Sequence, residues 1–202
     1  VVLFQDFDYA PYQMGPYLPL IRDYVEKGGG LAMIGGSLAF DGGGYAETAL
    51  SEVLPVRMRP NDPAGAAVIE GAFSPEPVAA LLHHPLIELY PDPSQTVAAF
   101  KKLEPLVGAN SLLGLRKGAA SLLDHPTARL DGGAKLAVLA VGNFGKGRTL
   151  AFGTDTSWHW SMPTAGRGSD PSAYDRFWDR AVRWLTRDPL LDPSHIATDR
   201  ES

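Results

Sequence analysis

The chain of 202 residues contains no cysteine. That excludes disulfides, thiolate metal sites and thiol nucleophiles. It leaves the compartment open, because a cysteine-free domain folds in either redox environment. No apolar run approaches the ~18 residues of a membrane-spanning helix, so membrane insertion of this segment is not expected. Basic residues are the minority, 18 against 23 acidic, for a net charge of −5. They are scattered, with no cluster beyond Lys101-Lys102. Phosphate backbones need a basic face, so nucleic acid is not an expected partner. The start, Val1-Val2-Leu3-Phe4, shows no basic n-region of a signal peptide.

What is present suits one globular core: 45% hydrophobic and 20% charged residues. Residues 1–4 are β-branched and apolar and read as a buried strand, ended by Asp6, Asp8 and Pro11. Residues 16–27 place Leu18, Ile21 and Val25 at helical spacing, and Gly28 stops them. Residues 31–34 read as the next buried strand. Strand, helix and strand predict a βαβ unit in a parallel sheet. A loop over 35–44 holds five glycines, and a short helix is expected over 47–54 before Pro55. Residues 56–76 form an irregular excursion with one strand at 66–70. Helical turns are expected at 77–82 and 98–103, and strands at 111–115 and 119–123 around Arg116-Lys117-Gly118. The clearest hairpin joins 136–141 to 148–153 across the glycine-rich 142–147. Residues 172–186 form an amphipathic helix with Tyr174, Phe177, Trp178, Ala181, Val182, Trp184 and Leu185.

Both ends read as continuing elsewhere. Residues 1–4 begin in mid-strand. Residues 189–202 lack a core pattern and read as a linker or the start of a following domain; a frayed terminus is the plainer alternative. The expected division is one domain over 1–188 and this tail over 189–202.

Four ordered patches carry a resemblance. They are Val2-Leu3-Phe4-Gln5-Asp6; Tyr24-Val25-Glu26-Lys27-Gly28-Gly29-Gly30-Leu31-Ala32-Met33-Ile34-Gly35-Gly36; Gly145-Lys146-Gly147-Arg148-Thr149-Leu150-Ala151-Phe152; and Thr154-Asp155-Thr156-Ser157-Trp158-His159-Trp160 with the helix through Phe177, Trp178 and Trp184. Together they resemble the class I glutamine amidotransferase-like superfamily, and more closely its "putative glutamine amidotransferase" branch of uncharacterised bacterial domains. The resemblance implies a flavodoxin-like α/β fold: a mostly parallel sheet flanked by helices, here with an antiparallel hairpin extension from about residue 111 to 152. It also implies a first strand and helix before Val1. The branch often occurs inside larger bacterial membrane-associated proteins, sometimes with a von Willebrand factor A-type domain, which suggests a soluble domain of such a parent.

The family's chemistry uses a cysteine thiolate at a strand-to-helix elbow, backbone N–H groups for the oxyanion, and a His-x-Glu base. Counted from the triple glycine, the cysteine position falls at Gly35, and the base position holds Gly153-Thr154-Asp155-Thr156. The resemblance thus implies a vestigial elbow at Gly35, Gly36 and Ser37 and no catalytic residue. It implies a silent module acting in binding or assembly, with other domains of its parent chain or a protein partner, and no cofactor.

Other chemistry competes with this reading. Gly35-Gly36-Ser37-Leu38-Ala39 loosely matches G-x-S-x-G, and His159 with Asp155 completes a triad on paper; the plainer role of Ser37 is to turn a glycine loop. That leaves a hydrolase using Ser37 or Asp155 as one alternative. His83, His84 and His125 invite a metal site, but adjacent histidines diverge and no acidic ligand has the right spacing, so none is expected. Gly42-Gly43-Gly44 and Gly145-Lys146-Gly147 do not fit a P-loop. Asp6 and Asp8 sit where open α/β sheets bind ligands; capping is their plainer role. Trp158 and Trp160 lie in a loop, so at least one is expected at the surface, while Phe177 and Trp184 read as core. A small-ligand sensor is the second alternative, with Asp6, Ser37, Tyr45, Asp155, Trp158 and Trp160 as candidate ligand-binding residues.

Overall fold

The computed structural model describes residues 1–60, 68–161 and 172–191. Strand β1 (Val2–Gln5) leads through a tyrosine-rich loop into helix α1 (Leu18–Glu26) and then into β2 (Gly30–Ile34), parallel to β1. Proline is tolerated in the first turn of α1, where its missing N–H would be unpaired in any case. Gly28, at φ 122, ends the helix in a conformation that side chains resist. Leu18 and Val25 are buried, and so is every residue of β2, as in a strand covered on both faces. The βαβ unit therefore forms where the periodicity places it.

Beyond β2 the chain departs from expectation. Two 3-10 turns, Tyr45–Glu47 and Ala49–Ser51, stand where one helix was expected. Extended Thr48 separates them and caps the second by accepting from the Leu50 N–H at 3.2 Å. Short strands β3 (Val56–Arg57), β4 (Val68–Phe73) and β5 (Glu76–Pro77) follow; residues 66 and 67 of the expected strand lie outside the described residues. A 3-10 turn forms at Ala79–Leu81, within the expected helical turn at 77–82. Helix α2 (Pro93–Lys102) is a full ten residues rather than a turn. Asp92 caps it by accepting from the Ser94 N–H at 2.8 Å, with Pro93 just inside, a start signal that outweighs the poor apolar pattern.

Strands β6 (Leu106–Asn110), β7 (Gly114–Leu115) and β8 (Ala120–Arg129) come next. β6 had no counterpart in the expected elements. β7 does not form a hairpin with β8; it pairs with β3, while β6 pairs with β4. The hairpin of β9 (Lys135–Phe144) and β10 (Gly147–Phe152) is longer than expected, and its turn shrinks to Gly145-Lys146. Helix α3 (Ser172–Leu185) closes the chain, followed by a 3-10 turn at Pro189–Leu191. The rest of the expected tail, 192–202, lies outside the described residues.

The main sheet runs β1-β2-β10-β9-β8-β5. Its β1-β2 and β2-β10 pairings are parallel and the other three antiparallel, so the fold is mixed α/β. The antiparallel half exceeds a hairpin extension, because the ten-residue β8 carries its ladder well past residue 123 and β5 adds to it. Phe152 lies at the centre of the aromatic core, 5.4 Å from the Phe177 ring and 6.0 Å from Trp160. Phe177, Ala181, Trp184 and Leu185 of α3 bury their side chains there. β1 is a sheet edge.

Phe152→Ala should lower stability by about 3–5 kcal/mol in urea unfolding, the usual cost of truncating a buried aromatic. His84 supplies a pH signature. Its ring packs 5.5 Å from Trp184; burial, then the Arg148 charge, pushes its pKa from 6.5 down to about 4. The unfolded chain takes up the proton first, so stability present above pH ~6.5 is lost as pH falls toward ~4. His84→Gln should flatten this acid limb when unfolding is compared at neutral pH and near pH 4.5.

Candidate functional site

The elbow lies where β1, β2, β6 and β10 end together. Gly35 still continues the sheet, donating its N–H to the Phe152 carbonyl at 2.7 Å. Asn110, the last residue of β6, donates its backbone N–H to the Gly153 carbonyl at 2.8 Å. Its buried carboxamide then grips the next peptide from both sides. Oδ1 accepts from the Gly36 N–H at 3.1 Å, and Nδ2 donates to the Gly36 carbonyl at 2.9 Å. Asp6 approaches from β1. Its Oδ1 accepts from the Leu38 N–H at 2.6 Å, and its own backbone is left-handed at φ 41, a strain that aspartate tolerates better than most residues.

These contacts fill the space a nucleophile would need. A Cβ on Gly35 would lie 2.5 Å from the Thr154 nitrogen and closer still to Asn110 Oδ1. The left-handed residue of the turn is Gly36, at φ 123, where a Cβ would strike the Asp6 carboxylate. No helix follows the turn, so no helix N-terminus is aimed at it; the next element is the 3-10 turn at Tyr45. The N–H groups of Gly35, Gly36 and Leu38 are all spent on protein oxygens.

The proposed ligand residues fall into separate places. Asp6 and Ser37 stay at the elbow. Ser37 is exposed, and among the described residues no histidine hydrogen-bonds to it; His159 Nδ1 sits instead 3.0 Å from the Pro105 carbonyl. Tyr45 is fully buried beneath the turn, donates to the Phe7 carbonyl at 2.8 Å, and has its phenol pKa pushed up by that burial. Trp160 is inside the core, 2% exposed, with its indole N–H on the Glu104 carbonyl at 3.1 Å, so it offers nothing to a ligand. Asp155 and Trp158 do share a crevice. Both line a groove of about 280 Å³ beside the end of β2, with Gln5, Tyr174 and Trp178. The histidines separate: His84 packs on Trp184, and the His125 ring stacks 4.4 Å from Phe73.

A family model described as "putative glutamine amidotransferase" matches residues 2–187. The chain belongs to that family. No curated protein matches it. Among solved structures it is similar to the cytoplasmic protein STM3548 from Salmonella typhimurium, at 25% identity and a TM-score of 0.62, over 91% of this chain and 70% of that one. It is also similar to the cytoplasmic protein STM1381 from Salmonella typhimurium LT2, at 22% identity and a TM-score of 0.59, with the same coverage. The second likeness is one of fold alone.

In this family member, the residue that organises the elbow is one the sequence reading passed over. Asn110 carries a single signal, an amide side chain closing the apolar run Leu106-Val107-Gly108-Ala109. Asn110→Ala would leave the buried Gly36 N–H without its partner and the Gly36 carbonyl with only the long bond from the Ala39 N–H at 3.4 Å, so stability should fall by about 1–3 kcal/mol in chemical denaturation. Ser37→Ala, at an exposed side chain, should stay within about 0.5 kcal/mol of the wild type in the same measurement.

Proposed function

We propose that this member of the glutamine amidotransferase-like family has lost glutaminase chemistry and acts by binding. The closure around Gly35 carries the reading. The position has no nucleophile, and the Asn110 carboxamide and Thr154 backbone occupy the volume one would take. The second half of the machinery is replaced as well. Thr154 and Thr156 join their hydroxyls at 2.8 Å where the resemblance calls for a base. Nothing in the geometry favours a hydrolase at Ser37, whose hydroxyl has no histidine beside it among the described residues.

We propose further that β1, β2 and β10 are the parallel part of a flavodoxin-like sheet, and that the flank at β1 is where another part of the parent polypeptide or a protein partner packs. Leu3 on the edge strand is 47% exposed. Leu20 and Tyr24, four residues apart on α1, and Tyr17 just before it are exposed too. Parallel strands are ordinarily covered on both faces, so apolar side chains left open beside such an edge favour a covering element. Small-ligand sensing is the second reading, favoured by the groove at Asp155 and Trp158.

Incubated with glutamine, the purified protein should release no glutamate above a buffer blank. Gly35→Cys should not create the activity and should destabilise the fold by about 1–3 kcal/mol through overpacking. Glutamate release by the wild type would refute the silent reading. A stable, active Gly35→Cys would show that the elbow lacked only its thiol.

A further inference from the structure

We infer that the groove between β1 and α3 is a binding site for a small organic cation, an alkylated ammonium. The inference rests on the binding reading above and names the ligand chemistry of that crevice. The groove lies at the carboxyl ends of parallel strands: Gln5 ends β1, Ile34 ends β2, and Asp155 follows β10. Open α/β sheets present ligand sites at such ends.

Its walls are aromatic. Trp158 is 45% exposed, and Tyr174 and Trp178 are half-buried beside it. Two of the three rings are held from behind. The Trp178 indole N–H donates to Ser157 Oγ at 3.3 Å, and the Tyr174 and Trp178 rings meet edge to face at 6.5 Å. Trp158 meets the His159 ring edge to face at 4.2 Å. Ring faces carry negative quadrupole density, and tryptophan binds cations best of the three aromatic types.

Asp155 supplies the counter-charge. It lines the same groove, and no hydrogen bond or ion pair engages its carboxylate among the described residues. Among the described residues no lysine or arginine lines the groove. A neutral apolar ligand would cover that carboxylate without pairing it, at a desolvation cost, whereas an ammonium pairs it. Leu3, Ile34 and Val182 add aliphatic wall suited to N-methyl groups or a short alkyl chain. A volume of about 280 Å³ takes such a ligand and is too small for a peptide helix.

Titration calorimetry with choline chloride tests the site, with 3,3-dimethylbutan-1-ol as neutral isostere and sodium chloride as the ionic control. The protein should bind choline saturably and the isostere at least about tenfold more weakly, with Asp155→Asn and Trp158→Ala each weakening choline about tenfold. Both variants should keep the wild-type circular dichroism spectrum. Three results would overturn the proposal: no saturable choline binding by heat or tryptophan fluorescence, equal binding of the isostere, or full affinity in folded Asp155→Asn. Failure here leaves the absence of glutamate release untouched, and a glutaminase activity would leave the choline titration unchanged, so the two readings fall separately.

Discussion

The grip of the Asn110 carboxamide on the Gly36 peptide is the interaction on which the centre of the molecule depends. It is buried, it uses both a donor and an acceptor, and it joins residues 74 positions apart. In a water-poor site such a pair is favourable only when both ends are satisfied. Here they are, and the Asn110 backbone carries the connection on to Gly153. One residue, through its side chain and its backbone, thereby ties the ends of β2, β6 and β10 together. It also takes up the Gly36 N–H, while Phe152 and Asp6 take those of Gly35 and Leu38, so the bonds that stabilise this corner are made with the backbone donors of the turn itself.

Much of the frame was legible because its signals are local. β1, α1 and β2 follow from apolar periodicity and a glycine stop, the β9-β10 hairpin from alternation around a glycine turn, and α3 from its aromatic stripe. The middle of the chain was not legible, because its pairings are long-range. Val56 finds Leu115 and Phe73 finds Leu106, and no spacing along the chain announces either. The parallel character was over-read for the same reason, since β8 resumes pairing with β9 at Arg129 after a register shift beyond Asp124 that no local pattern announces.

The candidate site was legible in outline and not in detail. Gly35, Gly36 and Ser37 follow β2 directly, and the positive-φ bend falls at Gly36, because Gly35 still bonds as part of the strand. Trp158 and Trp160 looked equivalent in a loop. They lie instead on a 3-10 helix, Thr156–Ser161, where residues two apart point to different sides. One ring therefore reaches the groove and the other the core. Asp155 and Trp158, three residues apart at the start of that turn, fall on one side of it; what no local pattern reveals is that α3 brings Tyr174 and Trp178 up as the facing wall.

The position of β2 has a consequence for how the chain is made. Its first residue, Gly30, pairs with Arg148 in the register of β10. During synthesis from the N-terminus, the β1-α1-β2 unit leaves the ribosome long before that partner exists. One side of an entirely apolar strand stays open until the chain has grown by the stretch that separates Gly30 from Arg148. Pairings between distant segments form slowly, because loop closure must be met before any contact rewards it. The nascent chain therefore carries this apolar strand with one edge open over that interval, and it is there, more than in the finished fold, that aggregation and chaperone capture compete for it.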